Sequence, residues 1–202
     1  MRRTRLWLKG GEQRFDATCA RCHSAASLRG VATRYPAWDA VLGKPVTLSA
    51  RINLCQLRHL EAAPLAAESE ALLNLETYVA HQSRGQAIVS PTDPRLAPFV
   101  QQGARLYAQR VGQLDLSCAQ CHDSQAGRRL AGSTIPQAHP TGYPIYRLEW
   151  QGVGSLQRRL RQCLSGVRAE PYAYASDELT ALELYLNQRA AGMIIETPAV
   201  RP

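Results

Sequence analysis

The sequence is short of several residue types, and each shortage narrows its chemistry. Its 24 basic residues include only Lys9 and Lys44 as lysines, so no lysine beyond position 44 can serve as a ligand or a base. Methionine occurs only as Met1 and Met193. Aromatic residues make up 6% of 202 positions, so two domains of about 100 residues each would have thin cores and would gain from an internal prosthetic group. No apolar run approaches the ~18 residues needed to span a bilayer, and the basic start, Met1 to Lys9, has no apolar stretch of secretory length. The chain as given reads as soluble.

What is present is an ordinary globular composition, 45% hydrophobic and 20% charged, with 14 Gly and 12 Pro. The formal net charge of +8 favours anionic partners or substrates, nucleic acid among them, without choosing.

Six cysteines carry the strongest signal. Cys19-Ala20-Arg21-Cys22-His23 and Cys118-Ala119-Gln120-Cys121-His122 are both C-x-x-C-H, the attachment signature of c-type haem. Two thiols add across the vinyl groups of one haem, and the next residue supplies the proximal imidazole, here His23 and His122. A zinc ribbon would use two C-x-x-C pairs without needing the histidine after each, and a thioredoxin-like pair would occur once beside a βαβ pattern. The expectation is two covalent haems.

The chain also repeats itself. Residues Thr47 to Cys55 and Ser155 to Cys163 share the pattern L-x-x-R-I/L-x-x-C, and Leu75-Glu76-Thr77-Tyr78-Val79 matches Leu182-Glu183-Leu184-Tyr185-Leu186 at an offset of 107. Gly85 and Gly192 keep that offset. The proline-rich run Ser90 to Pro98 marks the boundary, giving domains at 1–92 and 93–202. Ser69 and Ser176 read as helix N-caps ahead of apolar residues at helical spacing. Gly11 to Phe15 and Gly103 to Tyr107 read as matching helix segments before each haem motif. The fold expected is mostly α, two tandem class I cytochrome c-like domains, in which first and last helices cross through a small residue and an aromatic.

The second axial ligand separates carriers from catalysts. Methionine at both irons is implausible. His59, His81, His139, Cys55 and Cys163 remain, and the cysteines are favoured because each half places one after its haem motif, four residues beyond Arg51 or Arg159. Simple buried hydrophobes or one disulfide between the halves are the plainer alternatives. A neighbouring arginine lowers a thiol pKa and favours the thiolate. Arg158, Arg159, Arg161 and Arg168 crowd Cys163, and helical spacing puts Arg159 on its face. A solvated basic helix face is the bland reading of the same run.

These residues resemble the SoxA family, diheme cytochrome subunits of the SoxAX complex in bacterial sulfur oxidation. The two C-x-x-C-H motifs, Leu48 to Cys55, and Arg158 to Cys163 with Val167 to Tyr172 carry the resemblance. It implies that His23 and Cys55 ligate the first haem and His122 and Cys163 the second, attached at Cys19, Cys22, Cys118 and Cys121. It further implies a persulfide at Cys163, an essential Arg159, and help from Arg168 in holding thiosulfate. The reaction implied is oxidative coupling of thiosulfate to a cysteine of the carrier SoxYZ, with electrons passing to a SoxX-type monohaem cytochrome. No nucleic-acid partner follows. A periplasmic location is implied, so the expectation is a trimmed or misassigned start with little room for a complete first helix before Cys19. Rival readings are a thiosulfate dehydrogenase forming tetrathionate and a diheme electron carrier without substrate chemistry.

Overall fold

The computed structural model describes residues 2–130 and 132–201, with side chains from Leu6 onward. Met1 lies outside the described residues. The first half runs α1 (Arg2–Thr18), three 3-10 turns, a hairpin of β1 (Ala37–Asp39) and β2 (Lys44–Val46), α2 (Leu48–His59) and α3 (Glu70–His81). The second runs α4 (Ala97–Ala108), α5 (Cys118–His122), a small hairpin of β3 (Arg129–Leu130) and β4 (Ser133–Thr134), strands β5 (Ile145–Arg147) and β6 (Gly152–Gly154), α6 (Leu156–Gly166), α7 (Asp177–Arg189) and β7 (Val200–Arg201). Residues 88–93 between the halves carry no helix or strand. Among the described residues no helix is long and apolar enough to cross a membrane.

Local chemistry starts most of these helices. Thr47, Ser69, Ser155 and Ser176 each accept a backbone N–H three residues on, and Ser117 with Gln120 forms a reciprocal capping box at α5. Each half is then closed by one helix crossing. At Gly11 in α1 an added Cβ would lie 2.2 Å from the Asn74 carbonyl oxygen, and at Gly103 in α4 it would lie 2.1 Å from that of Ala181. Beside these contacts Phe15 meets Tyr78 at 5.2 Å between ring centroids, and Tyr107 meets Tyr185 at 5.3 Å. The small-residue and aromatic crossing expected from sequence is therefore present in both halves. The first helix runs over 17 residues, Arg2–Thr18, which corrects the expectation of little room for it before Cys19. A Gly10-Gly11 pair reads locally as a break, yet packing on α3 outweighs its weak helix propensity.

The halves join about a pseudo-two-fold axis. Gly85 and Gly192 both have φ of +83°, and the chain after each runs antiparallel to the other. The Gly85 amide donates to the Ile195 carbonyl and that of Gly192 to Ile88, while the amides of Ile88 and Ile195 donate to Met193 and Gln86. All four partners repeat at the 107-residue offset. Beside this seam lies a cavity of about 240 Å³ lined from both halves, including the equivalent carboxyls Glu76 and Glu183 together with Glu68. Burial, reinforced for Glu76 by the charges of Glu183 and Glu68, pushes Glu76 up to about 8, and burial pushes Glu183 up to about 7 against a hydrogen bond from Gln157.

Two expectations follow. Gly103→Ala should lower unfolding free energy by about 1–3 kcal/mol, seen as a shifted urea midpoint at unchanged slope, because backbone stands where the methyl must go. The glutamates have folded pKa values above their ordinary 4.5, so the folded chain holds protons that the unfolded chain has released. Their contribution to stability is therefore present at low pH and is lost as pH rises from about 4.5 to about 8. Joint Glu76→Gln and Glu183→Gln substitution should flatten that decline in urea midpoints; an unchanged slope with pH would contradict it.

Candidate functional site

In the second half the C-x-x-C-H sequence forms α5. His122 Nδ1 lies 2.7 Å from the Pro136 carbonyl, which can only accept, so the proton sits on Nδ1 and Nε2 keeps its lone pair for a metal. The next residue is anchored twice: Tyr107 donates to Asp123 Oδ1 at 2.9 Å and Arg189 reaches the same oxygen at 2.6 Å. Facing this turn is α6, whose Cys163 lies within the electrostatic reach of Cys118 and Cys121. All six cysteines are free thiols, so Cys55 and Cys163 do not join the halves as a disulfide. A covalent thiol pair, an imidazole with a free nitrogen and an opposing sulfur fit a c-type haem.

The first half repeats the set less tightly. Its motif is a 3-10 turn from Cys19 to Arg21 followed by an exposed His23, and Cys55 on α2 lies within reach of Cys19. His59 is exposed. His81 Nδ1 contacts the Thr197 carbonyl at 3.2 Å, and burial followed by the Arg189 charge holds His139 below its ordinary pKa.

Burial pushes the thiols of both Cys55 and Cys163 up. Arg51 and Arg58 pull Cys55 down, and Arg159 and Arg147 do the same for Cys163, but desolvation wins in each case. The arginines act in the direction expected from sequence but are outweighed by burial, so it is a metal rather than an arginine that must displace the proton.

Arg159 stands on the Cys163 side of α6, with Nη1 2.9 Å from Gln162 Oε1 and 3.8 Å from Glu149 Oε1. Arg158 instead stacks 4.4 Å over Trp150, and Arg161 reaches the Tyr172 carbonyl and lies 4.5 Å over Tyr174. Arg168 is exposed just past the end of α6, at φ +59°, and the second guanidinium acting on Cys163 is Arg147 of β5. Arg147 escaped the sequence reading. The signal that could have found it is the repeat itself: Tyr35-Pro36 and Tyr143-Pro144 match at an offset of 108, which sets Arg147 opposite Asp39.

In the first half that equivalent position is a closed ionic lock. Asp39 is 2% exposed and takes Arg51 at 2.7 Å and Arg58 at 2.7 and 3.0 Å. The amides of Val41 and Leu42 complete its shell. The Arg58 hydrogen bonds, then the Leu42 amide, hold its carboxyl far below the usual range despite burial.

Comparison with known proteins places these features. A family model described as SoxA/TsdA, cytochrome c domain, matches residues 4–88 and 102–195. The SoxA subunit of L-cysteine S-thiosulfotransferase from Pseudaminobacter salicylatoxidans is 36% identical over 187 residues, 91% of this chain and 65% of that protein. The subunit of the same name from Paracoccus pantotrophus is 32% identical over 185 residues, 91% of this chain and 64% of its own. The chain thus spans just under two thirds of the length of these curated relatives. A chain in the crystal structure of SoxXA from P. pantotrophus superposes with a TM-score of 0.93 at 29% identity, covering 98% of this chain and 78% of that one. With the family model covering both halves and the turn, imidazole and opposing sulfur in place, this chain belongs to the SoxA/TsdA cytochrome c family, whose members carry covalent haem.

Proposed function

We propose that this protein couples thiosulfate oxidatively to a cysteine of a SoxYZ-type carrier, giving a cysteine S-thiosulfonate. The observation carrying the reading is Arg159 one helical turn before Cys163 on α6, opposite the Cys118 to His122 turn. A bond forms between the terminal sulfur of thiosulfate and the carrier sulfur, the carrier S–H bond breaks, and one proton and two electrons leave. Arg159 holds the anion, Arg168 adds charge at the approach, and Cys163 sulfur stands beside the reacting sulfurs. Haem in the second half, when bound, supplies the acceptor through which the electrons leave.

Two haems would be held, the first by Cys19, Cys22, His23 and Cys55, the second by Cys118, Cys121, His122 and Cys163. The duplicated donor set supports that count, and the two domains meet near residue 92. Similarity to a chain of SoxXA supports a SoxX-type monohaem partner. Covalent haem of this type supports a periplasmic location. The curated relatives bear the thiosulfotransferase name, which favours this reading over tetrathionate formation.

The reading is tested on protein matured with its haem and assembled with a SoxX-type partner. Thiosulfate should add the mass of one S₂O₃ group to a carrier cysteine, read by mass spectrometry; tetrathionate formed without carrier would replace it with the dehydrogenase reading. Cys163→Ala should reduce turnover to background, whereas Cys55→Ala should leave it within about tenfold and change the spectrum of the first haem. Equal losses in both variants would sink the division between the halves. Arg159→Lys should slow turnover by about tenfold or more, because a point charge cannot reproduce a planar two-point contact with an oxyanion.

A further inference from the structure

The two halves place the same elements around their lone cysteines and then diverge at one register position. On β1 it is Asp39, inside and satisfied on every side. On β5 it is Arg147. Strand β5 is the middle strand of the order β6-β5-β7, so Arg147 has its backbone fixed by Gly152 on one side and Arg201 on the other.

Each cluster therefore pairs two guanidiniums with one carboxylate, but the placement is reversed. In the first half the carboxylate is innermost and the arginines surround it. In the second half the arginine is innermost at 13% exposure, and the carboxylate, Glu149, is outermost at 39%. One oxygen of that carboxylate, Oε1, accepts a hydrogen bond from Gln162 at 2.8 Å and lies 3.2 Å from Arg147 Nε and 3.8 Å from Arg159 Nη1. The contact with Arg147 Nε is close but misdirected, so this buried donor meets no hydrogen-bond acceptor among the described residues. A buried guanidinium nitrogen without an acceptor is costly unless an anion supplies one. Its other neighbour, the Trp150 ring 5.3 Å away, can offer only its face. Both arginines also act on Tyr143, which lies in the field of Cys163.

We infer that Arg147 is the second substrate-positioning guanidinium beside Arg159, and that Glu149 occupies the place of an incoming divalent anion until that anion displaces it. The inference rests on the thiosulfate reading above and sharpens it: two guanidiniums that share one monovalent, exposed carboxylate select a dianion over a monoanion. Arg147 acts through its position and charge and does not carry out bond formation. The locked Asp39 cluster, with its acceptor already inside, has no equivalent opening for an anion.

The test uses the haem-loaded complex and measures both thiosulfate turnover and thiosulfate binding by calorimetry. Arg147→Gln should raise KM and the binding constant Kd by about tenfold or more, the effect of one lost charge-assisted contact, with a smaller change in kcat. Arg147→Lys should recover part of that loss, and Arg168→Gln should cost less than Arg147→Gln. Glu149→Gln should move binding the opposite way and tighten it, a direction that damaged folding cannot produce. An active wild type whose KM and Kd are unmoved by Arg147→Gln, or a Glu149→Gln variant that binds more weakly, overturns the inference. A wild type that binds thiosulfate but never modifies the carrier overturns the reaction instead, and the two binding comparisons still decide the role of Arg147.

Discussion

Each half is closed backbone to backbone, where α1 passes over α3 at Gly11 and α4 passes over α7 at Gly103. No side chain fits between, so each crossing has one register and one distance. Everything downstream inherits that fixity. The haem motif begins one residue past α1 in the first half and ten past α4 in the second, and its position relative to the last helix is therefore set by the crossing. In the second half a further brace is added: Tyr107 from α4 and Arg189 from α7 meet on Asp123, the residue after His122, with Arg189 also 4.8 Å over the Tyr107 ring. The imidazole is thus oriented from both members of the crossing and from Pro136 behind it. A ligand held this way needs little reorganisation when its metal arrives.

The duplication has a second consequence, at the seam between the halves. Equivalent segments meet there, so the backbone contacts through Gly85 and Gly192 are made twice, as at a two-fold axis. The hydrogen bonds through Gly85 and Gly192 satisfy the backbone on both sides, and Ile88 and Ile195 pack with Ala190 beside them. The same symmetry brings like next to like. Glu76 and Glu183 line one cavity, and carboxyls that would ionise freely on separate surfaces are pushed towards their protonated forms once the halves close over them.

Symmetry in the backbone leaves the chemistry free to differ. Each half has an arginine one turn before its cysteine, and in each the cysteine thiol is pushed up by burial more than the arginines pull it down. What separates the halves is the residue on the neighbouring strand. With Asp39 innermost, the arginines of the first half are committed to a buried carboxylate that neither water nor substrate reaches. With Arg147 innermost, the charge of the second half is covered by an exposed carboxylate. A buried ion pair with ideal geometry serves specificity of structure, whereas a partly met cluster leaves interaction energy available to a ligand.

Much of this was legible in the chain. The haem motifs, the L-x-x-R-I/L-x-x-C repeat, the Ser69 and Ser176 caps and the glycine-aromatic pairs depend on neighbours within one or two turns, and such local signals survive without a structure. The first helix was legible only as its Gly11 to Phe15 segment; its run back to Arg2 was not, because Gly10 and Gly11 weaken it alone and are required only once Asn74 and Tyr78 stand opposite. Arg147 was hidden for a related reason. It belongs to a three-residue strand too short to show a period, and its partners Glu149, Arg159 and Cys163 come together through a hairpin and a helix. By contrast Arg158, Arg161 and Arg168 stood out in the sequence because they cluster there, yet two of them spend their charge on aromatic rings and backbone carbonyls and the third lies past the helix end. Charge density along a chain measures how many guanidiniums are near a cysteine in sequence. Whether one can hold an anion depends on which donors the fold leaves unmet, and that is settled by strand register rather than by spacing.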